Sequence, residues 1–115
     1  MSALALLRGL YAIVDPDQTN GRDPVAVTEA VLRGGAAIVQ LRAKSLGDDA
    51  HLALARRLAV MCRQAGVPFV LNDRADLAVL ADADGVHLGQ GDLSLADARA
   101  IIGTRFIGRS THDLV

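Results

Sequence analysis

Tryptophan is absent, and one Tyr and two Phe are the only aromatic residues among 115 positions. A sandwich core leaning on large rings is therefore not expected. The single cysteine, Cys62, excludes an internal disulfide and any zinc site built from several thiolates. Lying in a segment of helical period, it reads as a small core residue. Neither sign of charge is in excess: 12 basic and 13 acidic residues give a net charge of -1. No long-range field would recruit nucleic acid or an anionic membrane, so any anion site must be local. Long apolar runs are also missing. The longest stretch free of Asp, Glu, Lys and Arg is the nine residues Gln64 to Asn72, against the ~20 that cross a bilayer. The opening Met1 to Leu7 is apolar but has no basic leader and meets Arg8, so a secretory signal is not expected and the chain reads as cytoplasmic.

Ala, Val, Leu and Gly fill the chain instead, and the hydrophobic share of 51% suits one domain over residues 1–115. Short apolar β-branched runs alternate with longer segments of helical period, which is the pattern of repeated βα units around a parallel sheet. Strands are predicted at Gly9–Val14, Ala37–Arg42, Phe69–Asn72, Gly85–Leu88 and Phe106–Ser110. Between them fall helices at Pro24–Arg33, Asp49–Ala65, Arg74–Leu80 and Leu95–Ile102. Asp23 with Pro24 marks one helix start, Gly34-Gly35 its end, and Ser94 caps the last helix. In the second helix Leu52, Ala55, Leu58, Ala59 and Cys62 form the apolar stripe. Strands apolar on both faces fit either an open doubly wound sheet or part of a closed barrel. In both, chemistry gathers at the carboxyl ends of the strands.

Those ends carry a particular set of residues. With side chains alternating along the second strand, Gln40, Arg42 and Lys44 share one face. Lys44 is the only lysine in the chain. A guanidinium fork beside an ammonium suits a phosphate or carboxylate, although a solvated strand end would look similar. Asp73 follows the third strand, where it could equally cap the next helix. Asp92 closes the loop after the fourth strand, where Ser94 already fills the capping role. Two carboxylates so placed suit magnesium, which takes one or two acids plus phosphate oxygens and water. Opposite charges at one mouth make sense around a pyrophosphate shared between basic side chains and a metal. Gly89 and Gly91 would allow close backbone approach or simply a tight turn. His87 reads as a core histidine. Ser110, Thr111 and His112 stand at the end of the fifth strand, as donors or as a fraying terminus.

Five motifs then fall into register over nearly the whole chain. Gln40-Leu41-Arg42-Ala43-Lys44, Asn72-Asp73-Arg74, Ala83 through Asp92, and Gly108-Arg109-Ser110-Thr111-His112 resemble thiamine-phosphate synthase in order and spacing, and the opening Leu10 to Asp15 also fits. The resemblance implies a TIM (β/α)8 barrel, of which five strands are present, so the domain is an incomplete barrel. It implies a transferase that condenses hydroxymethylpyrimidine pyrophosphate with thiazole phosphate and releases pyrophosphate. Residues matching Gln40, Arg42, Lys44, Asn72 and Ser110 would contact the pyrimidine substrate, Arg42 and Lys44 catalytically, and Asp73 and Asp92 would hold Mg2+. The family's thiazole-phosphate contacts, a lysine among them, lie beyond the fifth strand. Two other readings are a degenerate half barrel that binds pyrophosphate or a partner chain without turnover, and a thiazole tautomerase-like protein. The basic clamp with both aspartates favours the synthase. Oligomeric state is open.

Overall fold

A computed structural model describes residues 10–89 and 91–109. Strands and helices alternate: β1 (Leu10–Val14), α1 (Pro24–Arg33), β2 (Ala36–Leu41), α2 (Asp48–Ala65), β3 (Phe69–Asn72), α3 (Ala75–Leu80), β4 (Gly85–Leu88), α4 (Leu95–Ile102) and β5 (Phe106–Arg109). The described boundaries agree with the sequence pattern to within one residue. One element has no counterpart in that pattern, a 3-10 turn at Pro16–Gln18 begun by the Asp15 carboxylate accepting from the Asp17 N–H. The helix ends are made as their residues dictate. Asp23 Oδ1 accepts from Val25 N–H at 3.1 Å with Pro24 in the first turn, and Ser94 Oγ accepts from Asp97 N–H at 3.1 Å. Each such cap is worth about 1 kcal/mol. Gly66 ends α2 at φ +71°, a conformation that favours glycine.

The sheet is parallel throughout and its order is β1-β2-β3-β4-β5. A doubly wound sheet would depart from sequential order; this one adds each strand to the same edge, as a barrel does. Register shows what each face does. Val14, Leu41, Leu71, Val86 and Ile107 form one row across all five strands, and Ala12, Val39 and Phe69 form the row beside it. Most of these are fully buried, in one cluster with Ala55, Leu58, Ala59, Cys62, Leu77, Ala78, Ala98 and Ile102 from the helices. Cys62 is a packing residue whose thiol burial pushes up to about 11. The opposite face carries the row Ile13, Gln40, Val70, Gly85 and Phe106. At its edges Tyr11, Ile13 and Phe106 are 45%, 56% and 42% exposed, because no layer among the described residues covers that side. The molecule is an arc of a β/α barrel with its outer helices in place. Among the described residues no helix is long and apolar enough to cross a membrane.

Gly85 keeps the last strand attached. A Cβ there would lie 2.6 Å from the Phe106 carbonyl oxygen and 2.8 Å from its ring carbons, so the ring occupies the space a side chain would need. Gly85→Ala is expected to destabilise the chain by about 1–3 kcal/mol through the β4–β5 pairing, measured by urea unfolding. An unchanged midpoint would show that β5 is not fixed by this contact.

Candidate functional site

The carboxyl ends of the strands share one pole, and polar groups collect there. Beyond β2 the alternation continues into the loop: Leu41 and Ala43 are buried while Arg42 and Lys44 are exposed. Lys44 lines a cleft of about 320 Å³ with Ala43, Leu46, His51, Asn72, Asp73 and Arg74. Asp73 does not cap α3, whose N-cap residue is Arg74 with no side-chain capping bond. Instead it stands at φ +76°, left-handed for a non-glycine residue, with its N–H donating to the His87 carbonyl at 2.7 Å. Arg74 N–H donates to the Asn72 carbonyl at 2.9 Å, which closes a three-residue turn with Asp73 at its apex. Turns of this hand are strained by roughly 1–3 kcal/mol.

Asp92 folds back across its own loop to accept from Gly89 N–H at 2.5 Å. A Cβ on Gly89 would sit 3.1 Å from that carboxylate oxygen, so the glycine leaves the carboxylate room. The Asp73 and Asp92 carboxyls meet. Their hydrogen bond, followed by desolvation and the neighbouring charge, raises the Asp73 pKa, with Lys44 and Arg74 opposing. The same bond, with the Gly89 N–H, Lys44 and Arg109 assisting, lowers that of Asp92. The two acids thus titrate as an interacting pair beside Lys44. Among the described residues no group of three or more His, Cys, Asp or Glu could hold a metal ion. A pair of carboxylates with open space beside it remains a donor set suited to magnesium.

The expected residues divide. Lys44, Asn72, Asp73 and Asp92 come together. Arg42 has its Nε 4.0 Å from Asp15 Oδ2, one step past the Val14–Leu41 pair in the register of β1 and β2. Gln40 is buried on the open face and donates to the Tyr11 hydroxyl at 2.8 Å. Ser110, like Gln90, Thr111 and His112, lies outside the described residues. Two further residues had no role assigned from sequence. His51 extends the stripe of Ala55, Leu58 and Cys62 by one turn, a polar side chain at a core position and so detectable by its spacing. It is buried with Nε2 lacking a hydrogen-bond partner. Arg74 Nη1 reaches Asp48 Oδ1 at 2.8 Å, while its Nε and Nη2 grip the two Asp76 oxygens at 3.1 and 3.0 Å. That grip holds the Asp76 carboxyl below the usual range. Contacts between separate elements leave no trace in sequence spacing.

Sequential strands with outer helices, and acids and a lysine at the carboxyl pole, define a β/α-barrel protein with a candidate binding site at that pole. The family profile described as "Thiamine monophosphate synthase" matches residues 10–115, and the chain belongs to that family. It is 44% identical over 105 residues to a thiamine-phosphate synthase of Chloroflexus aurantiacus, covering 91% of this chain and 49% of that protein. A thiamine-phosphate synthase of Bacillus licheniformis is 43% identical over 115 residues, with 97% and 51% covered. Among solved structures, a thiamine phosphate pyrophosphorylase from Pyrococcus furiosus superposes with a TM-score of 0.84 at 31% identity, covering 90% of this chain and 50% of that one. The chain therefore spans about half the length of these relatives.

Two outcomes follow from the ionisations. Burial, then Arg74, lowers the His51 pKa below the ordinary 6.5. The unfolded chain binds that proton first, so stability falls as pH drops below 6.5. His51→Leu removes the orphaned nitrogen and should stabilise the chain by about 1 kcal/mol at neutral pH and flatten this slope in urea titrations. Asp73, raised, favours folding at low pH and opposes it once ionised. Asp73→Asn, which tolerates the same φ, should stabilise the chain at pH 7 by no more than about 1 kcal/mol, since solvent screens the pair. That gain should shrink as pH falls from the raised value toward the ordinary 3.8 and be absent below it.

Proposed function

We infer that the chain binds the diphosphate of hydroxymethylpyrimidine pyrophosphate at its carboxyl pole, and that it serves the condensation with thiazole phosphate which yields thiamine phosphate. What carries this reading is the contact of the Asp73 and Asp92 carboxyls within the field of Lys44. Acids pressed together at a cost in stability have a use where a cation and a polyanion are to sit between them and a lysine. Asp73 and Asp92 would hold magnesium, which when bound supplies Lewis-acid neutralisation of the departing diphosphate.

In the reaction the bond from the pyrimidine methylene carbon to the diphosphate oxygen breaks, its electron pair leaving with the diphosphate. The lone pair of the thiazole nitrogen then forms the new C–N bond. No proton moves, so no general base is required. Lys44 meets the charge that develops on the leaving oxygens. Arg42 joins it by rotating away from Asp15, exchanging a long exposed contact for a two-pronged bond to phosphate oxygen. Gln40 and Asn72 offer amide groups to the pyrimidine edge, and Ser110 a hydroxyl. This chemistry fits a cytoplasmic small-molecule enzyme, with turnover assigned to a complete barrel. The exposed Tyr11, Ile13 and Phe106 on the open face favour a second reading, a half barrel that binds pyrophosphate or a complementary chain without turnover.

Titration calorimetry with inorganic pyrophosphate tests the shared part of both readings. Binding to the chain is expected only when Mg2+ is present. Lys44→Ala should weaken it about 10-fold or more, and Asp92→Asn should remove its dependence on metal. A folded chain that ignores pyrophosphate in Mg2+ would sink both readings. Supplying the two organic substrates then separates turnover from binding.

A further inference from the structure

We propose that Arg74 is a positioning residue for this site: its guanidinium, forked between Asp48 on α2 and Asp76 on α3, holds the strained turn that presents the Asp73 carboxyl to Asp92. The proposal deepens the diphosphate reading and rests on it for the role of Asp73. Asp73 occupies φ +76° and is pinned from one side only, by its N–H on the His87 carbonyl. The other side of the turn is Arg74, whose own N–H returns to the Asn72 carbonyl. The Arg74 carbonyl accepts from the Ala78 N–H at 2.9 Å, which anchors its backbone to α3, and its side chain sets where that anchored turn stands relative to α2.

The Arg74 side chain is suited to that task. Two nitrogens take both oxygens of Asp76, in the first turn of α3, which sets the plane of the guanidinium. The third reaches Asp48, the first residue of α2. The loop that leads into α2 carries Lys44. One planar group therefore ties the start of the helix behind the Lys44 loop to the start of the helix behind Asp73, fixing the spacing between the cation and the acid. Side chains of Asp48 and Asp76 are 74% and 58% exposed, so Coulomb attraction across these pairs is screened and contributes little to folding. What the fork provides is orientation, which a lysine of equal charge cannot reproduce.

The test uses the full chain with Mn2+ as the probe, alongside hydrogen exchange of the Asp73 and Arg74 amides without metal. Arg74→Lys and Arg74→Met are both expected to lose about 10-fold or more in Mn2+ affinity while the urea midpoint stays near that of the unsubstituted chain. In the metal-free variants the two amides should exchange faster as the turn relaxes. Asp48→Asn, which cuts only the tie to α2 and leaves the Asp76 fork, keeps the question open to decision if an Arg74 variant fails to fold; it should give a smaller loss in the same direction. Arg74→Lys binding Mn2+ as the unsubstituted chain does, with both amides still protected, would overturn the proposal. If the unsubstituted chain takes up no Mn2+, the diphosphate reading fails, and the amide exchange alone then decides whether Arg74 holds the turn.

Discussion

Among the described residues the sheet is covered by helices on one side only, and the rest of the molecule follows from that asymmetry. Because each strand joins the same edge, alternate residues such as Val14, Leu41, Leu71 and Val86 meet the helices while Ile13, Gln40, Val70 and Phe106 face the opposite way. The covered face supplies the apolar burial that holds the chain together. The other face keeps exposed rings and side chains at β1 and β5, as one wall of a barrel does. Parallel strands in sequential order also send every carboxyl end to a single pole, so residues far apart in the chain need no special device to meet there.

At that pole stability yields to chemistry. Asp73 is held at a left-handed φ and pressed against a second acid, and His51 is buried with a nitrogen that has no partner. Each is a local violation of the rules the rest of the chain obeys, and violations of this kind cluster where binding demands them. Lys44 partly relieves the carboxyl pair, and the Gly89 N–H takes one oxygen of Asp92. On the proposed reading, that balance suits the pair to hold a cation. The diphosphate binding proposed for this pole would give the tension a reason, since a diphosphate leaving group needs opposite charges gathered on either side of it.

Capping residues, helix stops and β-branched runs placed every described strand and helix within a residue of its position, because those signals act over one turn or one pleat. The short 3-10 turn escaped notice: Asp15-Pro16-Asp17 reads as a plain strand stop until the Asp15 carboxylate is seen taking the Asp17 N–H. Alternation along 40–44 identified Gln40, Arg42 and Lys44 as one set. It could not show that Gln40 would be taken up by Tyr11 or that Arg42 would face Asp15, since both partners come from the neighbouring strand β1 and its end. Asp73 was ambiguous between cap and ligand, and the left-handed backbone removed the cap.

Local periodicity and turn chemistry were enough to fix which segments are strands, which are helices, and which polar residues end up at strand termini, for these depend on neighbours within a few residues. The choice between an open doubly wound sheet and a barrel arc, the meeting of Asp73 with Asp92, and the fork of Arg74 across two helices were settled by strand order and packing. Such contacts join residues from 2 to 26 positions apart along the chain, and no pattern read along one segment encodes which distant segment will lie against it.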